Sequence, residues 1–224
     1  MKAKKIIITL AAAVCLGVAV YAIHGNLAND KPEQHATEET SLDNGMKDHL
    51  FGKNLFLDAK MDGYDSLADL EKDTDLVVIA KKIAQDDPTI IYGQEDRIDI
   101  AYTLSHFKVS KVINGNQLNP GDEFTMLENQ AYDKKQGLTY HIGGYQMIKK
   151  DRDYLLLLRK SETDPWYIVA GVNPGKVDLS SDQTDYPDSV KNADTQQARM
   201  IKSAYFNDEK IREEAKQKYA SYID

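Results

Sequence analysis

Residues 98–112, IDIAYTLSHFKVSKV, constrain the fold of this chain more than any other stretch. Ile98, Ile100, Tyr102 and Leu104 alternate with Asp99, Ala101, Thr103 and Ser105, the period of two that belongs to a strand with one buried face. Past His106 the apolar positions resume at Phe107 and Val109, one residue out of phase, and Val112 shifts the phase again. Two shifts in one extended run predict β-bulges in a strongly coiled strand. Strands of that kind supply the curvature of small closed barrels. Asn114-Gly115 ends the run as a turn signal, Pro120-Gly121 suits the centre of a type II turn, and Phe124, Met126 and Leu127 begin another strand.

The remaining body repeats this rhythm. Leu76–Ala80 is a β-branched apolar run, Thr89–Tyr92 a short strand candidate, and Leu138, Tyr140 and Ile142 alternate until Gly143-Gly144 interrupts them before Tyr145–Ile148. Gln130–Gln136 is polar and reads as a connection. Tyr154–Leu158, Trp166–Ala170 and Lys176–Leu179 complete seven to eight strands, a barrel or sandwich pattern. Asp65 or Ser66 caps a short helix with Leu67 and Leu70 on one face. The expected fold is mainly β with flanking helices: a small closed or partly open antiparallel β-barrel of OB-like type over residues 56–180. Residues 181–224 read as a linker and a C-terminal helix packed on the barrel. That helix is either continuous or broken near Asn207, with a capping box at Asp194–Gln197 and a face of Ile211, Ala215, Tyr219 and Tyr222.

The N-terminus addresses location. Lys2, Lys4 and Lys5 precede Ile6–Val20, which holds no charged residue, the form of an export signal. Cleavage after Ala22 is one outcome. Retention of residues 6–23 as an anchor is the other, since 18 helical residues reach about 27 Å across a hydrocarbon core of about 30 Å. Residues 24–55 are polar, aperiodic and punctuated by Pro32, Gly45 and Gly52, and read as a flexible tether. Leu50, Phe51, Leu55, Phe56 and Leu57 mark where the chain begins to dock. Cys15 is the one cysteine, an apolar residue within the export segment; Ala12 and Val14 do not fit a lipoprotein signal. The body therefore holds neither disulfides nor cysteine-built zinc sites. With 28 basic and 36 acidic residues the chain carries −8, and removal of Lys2, Lys4 and Lys5 takes it to −11. Such a surface repels phosphate backbones, which argues against a nucleic-acid partner.

Catalytic patterns are sparse. His24, His35, His49, His106 and His141 show no two-histidine metal spacing, and neither a Gly-x-Ser-x-Gly elbow nor a phosphate-binding glycine loop occurs. Gly143-Gly144 reads as a strand bend. An EF-hand counted from Asp178 meets Gln183 where glycine is required and Ser189 where glutamate is required, leaving at most an irregular, weak calcium site at 178–188. No carboxylate stands alone in an apolar run, the setting that marks a glycosidase acid. Neither metal nor cofactor is therefore expected. Thirteen tyrosines against one tryptophan and five phenylalanines favour either strand packing or a flat amphipathic face. Tyr132, Tyr140, His141 and Tyr145 are the candidate binding residues, and the segments 83–97 and 130–144 the candidate functional loops.

The order of a short helix, Asp75–Val78, FKVSKVINGN (Phe107–Asn116), Pro120-Gly121-Asp122, Gly143-Gly144 and DYLLLL (Asp153–Leu158) resembles a group of exported bacterial β-barrel domains. These are similar to OB folds and to netrin-like and metalloproteinase-inhibitor domains. The resemblance covers about residues 66–179 and implies the fold; the group has no assigned activity. The inhibitors act through an N-terminal cysteine that this body lacks. The leading functional expectation is an exported, non-catalytic binding module at the outer face of a Gram-positive-like membrane or wall, with a protein or cell-wall glycan as partner. Membrane contact is expected through the N-terminal segment only. An inhibitor or immunity-type protein that occludes a partner is the alternative, and a cell-wall-directed enzyme the third reading.

Overall fold

The computed structural model describes residues 49–51, 53–57, 59, 63–94, 97–180 and 206–223. The expected export segment, most of the expected tether, and the linker and capping box expected at 181–190 and 194–197 lie outside the described residues. Within them the elements run β1 (His49–Phe51), β2 (Asn54–Leu57), α1 (Leu67–Lys72), β3 (Leu76–Gln85), β4 (Thr89–Tyr92), β5 (Ile98–Asn114) and β6 (Glu123–Glu128). They continue with β7 (Gln130–Asp133), β8 (Leu138–Ile142), β9 (Asp153–Lys160), β10 (Tyr167–Val169), β11 (Lys176–Asp178), α2 (Phe206–Lys218) and α3 (Ala220–Ile223). No helix among the described residues is long and apolar enough to cross a membrane.

Five strands close a barrel in the order β10-β6-β5-β3-β9, with β9 returning to β10. The first three barrel strands form an antiparallel meander; the fifth, β10, lies parallel to the third, β6, and antiparallel to the fourth, β9. This is OB-type order, and the expected antiparallel barrel has one parallel seam. Alternate residues of each strand turn inwards, so Leu76, Val78, Ala80, Phe107, Val109, Phe124, Met126, Leu156 and Leu158 fill one interior. Phe107 and Phe124, opposite each other on β5 and β6, stack with centroids 5.4 Å apart.

The two phase shifts in β5 have different causes. Against β3 the register slips beside Ser110 and beside Ile113, so the shift before Val112 is a bulge. At His106 the extra residue is Ile83 on β3, so β5 keeps its own alternation, and its register with β6 runs unbroken from Thr103↔Glu128 to Lys108↔Glu123. There Ala101, Thr103, Ser105, Phe107 and Val109 all face inwards, and it is the apolar character that changes sides.

One barrel end is closed by residues 143–148, which carry no regular secondary structure. Gly143 and Gly144 have φ of 57° and 68°, which glycine alone adopts at little cost, and the chain turns there from β8 into the barrel mouth. Tyr145 and Ile148 reach the interior cluster.

The outer face of β3 and β9 is covered by helices. Val77, Ile79, Leu155 and Leu157 meet Leu67 and Leu70 of α1 and Ile211, Ala215 and Tyr219 of the C-terminal segment. The spacing of those last three places them on one helical face; Tyr222, expected with them, is exposed. Ser66 caps α1, its hydroxyl accepting from the Asp69 N–H. Glu214 accepts the Leu67 N–H at 2.9 Å, and Glu71 accepts from Lys218 and the Tyr219 hydroxyl. The C-terminal helix thus packs on the barrel, as expected, and caps α1.

A second layer extends beyond the barrel. The N-terminal half of β5 projects and pairs with β4 as a two-stranded ribbon. A sheet in the order β1-β2-β8-β7 packs on the ribbon's inner side through Leu55, Leu57, Ala131, Leu138, Tyr140 and Ile142, against Ile90, Ile98 and Ala101. Among the described residues strand pairing is present from His49, inside the stretch read as tether, and the stretch read as a polar connection contains β7.

Candidate functional site

The interior carries the chain's densest polar chemistry. Glu128, wholly buried at the end of β6, pairs with buried Lys82 at 2.6 Å. Its carboxylate also accepts from Ser105 Oγ at 2.5 Å, Tyr145 OH at 3.1 Å and the Ile148 N–H at 2.6 Å. The last two bonds hold the barrel plug. Burial and the Glu128 charge push the Tyr145 phenol well above its ordinary value, so it remains a donor. The Lys176 ammonium lies 3.6 Å from the Tyr145 ring centre and donates to the Gln146 carbonyl. Glu128 is a buried carboxylate that sequence reading did not single out, because its partners are distant in the chain. Its four donors saturate the carboxylate, leaving the network to join plug and barrel rather than face a substrate.

Two further groups are internal. Asp133 accepts from Tyr92 OH, from Tyr140 OH at 3.2 Å, and from the N–H groups of Lys135 and Gln136 at 2.8 and 3.3 Å. Burial alone would raise this carboxyl; the hydrogen bonds outweigh it and hold Asp133 below its usual range, while burial and the Asp133 charge push Tyr140 up to about 12. This knot ties the β4 ribbon to the β7–β8 hairpin. His141 stacks on Phe56 with ring centres 4.6 Å apart. Its Nδ1 lies 2.9 Å from the Tyr145 carbonyl and its Nε2 3.0 Å from the Asn54 side-chain amide. Burial first, and then the Lys176 charge, lower His141 to about 4. With the ring neutral, Nδ1 carries the proton donated to the Tyr145 carbonyl, and Nε2 faces the Asn54 Oδ1.

The four residues expected to bind are therefore not one face. Tyr140, His141 and Tyr145 are at most 2 % exposed and their polar atoms serve internal partners, so they have almost no surface to offer. Tyr132 is 49 % exposed, but it points away from the ribbon, because its neighbour Ala131 faces the core shared with it.

The outer side of the ribbon presents a different set. Register places Ile91 opposite Ile100, and Thr89 opposite Tyr102, on that side. Tyr102 meets Trp166 of the β9–β10 turn at 6.3 Å between ring centres, tilted by 39°. Leu104 lies beside Leu127, which lies beside Ile168. Together they make an apolar, aromatic strip from β4 across β5 and β6 to β10. Ile91 is 47 % exposed, and Ile100, Tyr102, Leu104, Trp166 and Ile168 are half-buried. The change of apolar side at His106 was the signal in the sequence: Ile100, Tyr102 and Leu104 put apolar residues on the face that Phe107 and Val109 leave outside, while the register shift at the start of the ribbon turns Ile98 inwards.

Beside the strip, Thr125 Oγ1, His106 and Asp86 follow one another at 3.3 and 3.0 Å. The series has the form of a hydroxyl, base and orienting carboxylate. Thr125 sits in the middle of β6, in ladder pairing with β5, rather than on a turn presenting N–H groups to an oxyanion. The arrangement pins the β3–β4 corner against the barrel. No group of metal-ligating side chains occurs among the described residues. Comparison with known protein families and with curated proteins found no match.

Proposed function

We propose that this chain is an exported, non-catalytic binding module that docks a partner at the outer face of a bacterial membrane or wall, through the outer strip of β4, β5 and the Trp166 turn. The observation that carries the reading is the strip itself: Ile91, Ile100, Tyr102 and Trp166 gather on one side and keep exposed surface. Contiguous apolar surface of this kind marks interaction sites, and aromatic anchors dominate binding energy. By fold-level analogy, the second and third strands of OB-type barrels and their flanking loops are where ligands sit. The N-terminal Lys-flanked apolar segment supports export, and the net charge of −8 speaks against nucleic acid.

The test is hydroxyl-radical footprinting of the full-length chain with and without an isolated envelope fraction. The expected result is protection of Tyr102 and Trp166, with Tyr132 unchanged as the internal control, and loss of that protection in Ile91→Asp. Unchanged labelling of Tyr102 and Trp166 with every envelope fraction would remove the reading.

A further inference from the structure

Resting on that reading, we infer that the occupant of the strip is a protein segment in which cationic side chains stand between apolar ones. Three features of the strip point there. The first is its chemistry: Ile91, Ile100, Leu104 and Ile168 are aliphatic and suit side-chain anchors, whereas sugar hydroxyls would require polar groups among them. The second is its margin. Asp99 is exposed beside Ile100, Asp86 and Asp87 sit at the β3–β4 corner with side chains 53 % and 94 % exposed, and the turn that presents Trp166 carries exposed Glu162. Asp164 on that turn is held by the hydroxyls of Ser161 and Thr163, which fixes its charge beside the tryptophan. Cations do lie nearby. Lys134 reaches Asp87 only at 3.8 Å, Arg159 lies opposite Ile168, exposed Lys160 leads into the Trp166 turn, and exposed Arg97 precedes β5. Carboxylates still outnumber them, so the margin attracts positive charge and repels anionic wall polymers.

The third feature is the aromatic pair. Ring faces attract ammonium and guanidinium groups, most strongly at tryptophan. Tyr102 and Trp166, tilted against each other, offer such faces in the middle of a negatively charged rim. Apolar anchors, aromatic faces and surrounding carboxylates together describe a site for lysine or arginine interleaved with Leu, Ile or Phe.

Trp166 is the chain's single tryptophan, so its emission reports on this site alone. The full-length chain is titrated with a synthetic peptide of alternating Lys and Phe, with its Glu-for-Lys counterpart, and with a chitin oligosaccharide. The expected result is a Trp166 response to the lysine peptide that is at least about tenfold tighter than to the glutamate peptide. Raising NaCl from about 50 to about 500 mM shortens the screening length and should weaken binding by about tenfold. The double change Asp87→Asn and Asp99→Asn, both at exposed positions, should weaken it several-fold with an unchanged far-ultraviolet spectrum. Equal affinity for both peptides, or a response to the oligosaccharide alone, overturns the inference. If envelope still protects Tyr102 and Trp166 while the lysine peptide fails to bind, the binding module stands and the cationic partner falls. If neither occurs, both fall.

Discussion

Acidification should destabilise this protein through one ring. His141 is 2 % exposed, lies between Phe56 and the plug, and has its proton affinity lowered from 6.5 to about 4, by burial first and by Lys176 second. The unfolded chain takes up a proton near pH 6.5, whereas the folded one resists until about pH 4. The contribution is therefore complete above pH 6.5 and declines as pH falls towards 4. By linkage it amounts to about 2 kcal/mol lost between pH 7 and pH 5. Urea melts at pH 7, 6 and 5 on the wild type and on His141→Gln isolate it, because every other titrating group is common to both. His141→Gln loses the stack and is the weaker protein at pH 7, and the gap should shrink by about 2 kcal/mol at pH 5. A gap that stays constant within about 0.5 kcal/mol would show that the folded chain does not hold the ring neutral.

Three other perturbations follow from the same packing. Glu128→Gln strands the Lys82 ammonium in the interior and should cost about 3–5 kcal/mol in urea melts, while the paired change Lys82→Met with Glu128→Leu should recover much of it. Gly144→Ala places a β-carbon at φ of 68° and should cost about 1 kcal/mol, read as a shift in melting midpoint with the denaturant slope unchanged. Glu71→Gln weakens the bonds from Lys218 and Tyr219 that hold α2; with Lys218 half exposed the global loss should stay below about 1 kcal/mol. Hydrogen exchange should nevertheless quicken in α2 and not in β3 or β9.

Much of the barrel was legible because its strands are amphipathic or buried on both faces. Leu76–Ala80 and Tyr154–Leu158 are continuous apolar runs, and the structure shows why: one side lines the barrel and the other lies under α1 and α2. Short polar strands were not legible. β7 shows no period because Asp133 faces inwards and Tyr132 outwards, an inversion that makes sense only once Tyr92 and Tyr140 supply the hydroxyls. Glu128 was hidden similarly, since its partners Lys82, Ser105 and Tyr145 come from three distant parts of the chain. The tyrosine count misled for a related reason: Tyr140 and Tyr145 are interior donors, and composition does not distinguish a buried phenol from a displayed one. The phase change at His106 was visible, but a bulge and a change of apolar side leave the same trace in sequence. Only the unbroken pairing with β6 separates them.

The parallel seam between β6 and β10 has a kinetic consequence. Chains emerge from their N-termini, so β6 waits for β10 while β7, β8 and β9 are synthesised, and β2 waits for β8 while β3 to β7 are. Neither pairing can nucleate locally, and folding rate falls as contacts become less local. Closure by the three-residue β10 should then come after the β3–β5–β6 meander has formed. Truncating Val169 to alanine should speed unfolding and leave the folding arm of the chevron nearly unchanged, whereas Phe107→Leu should slow folding. If Val169→Ala slowed folding as much as Phe107→Leu did, the barrel would be closing as a unit, and β6 would never stand with an open edge.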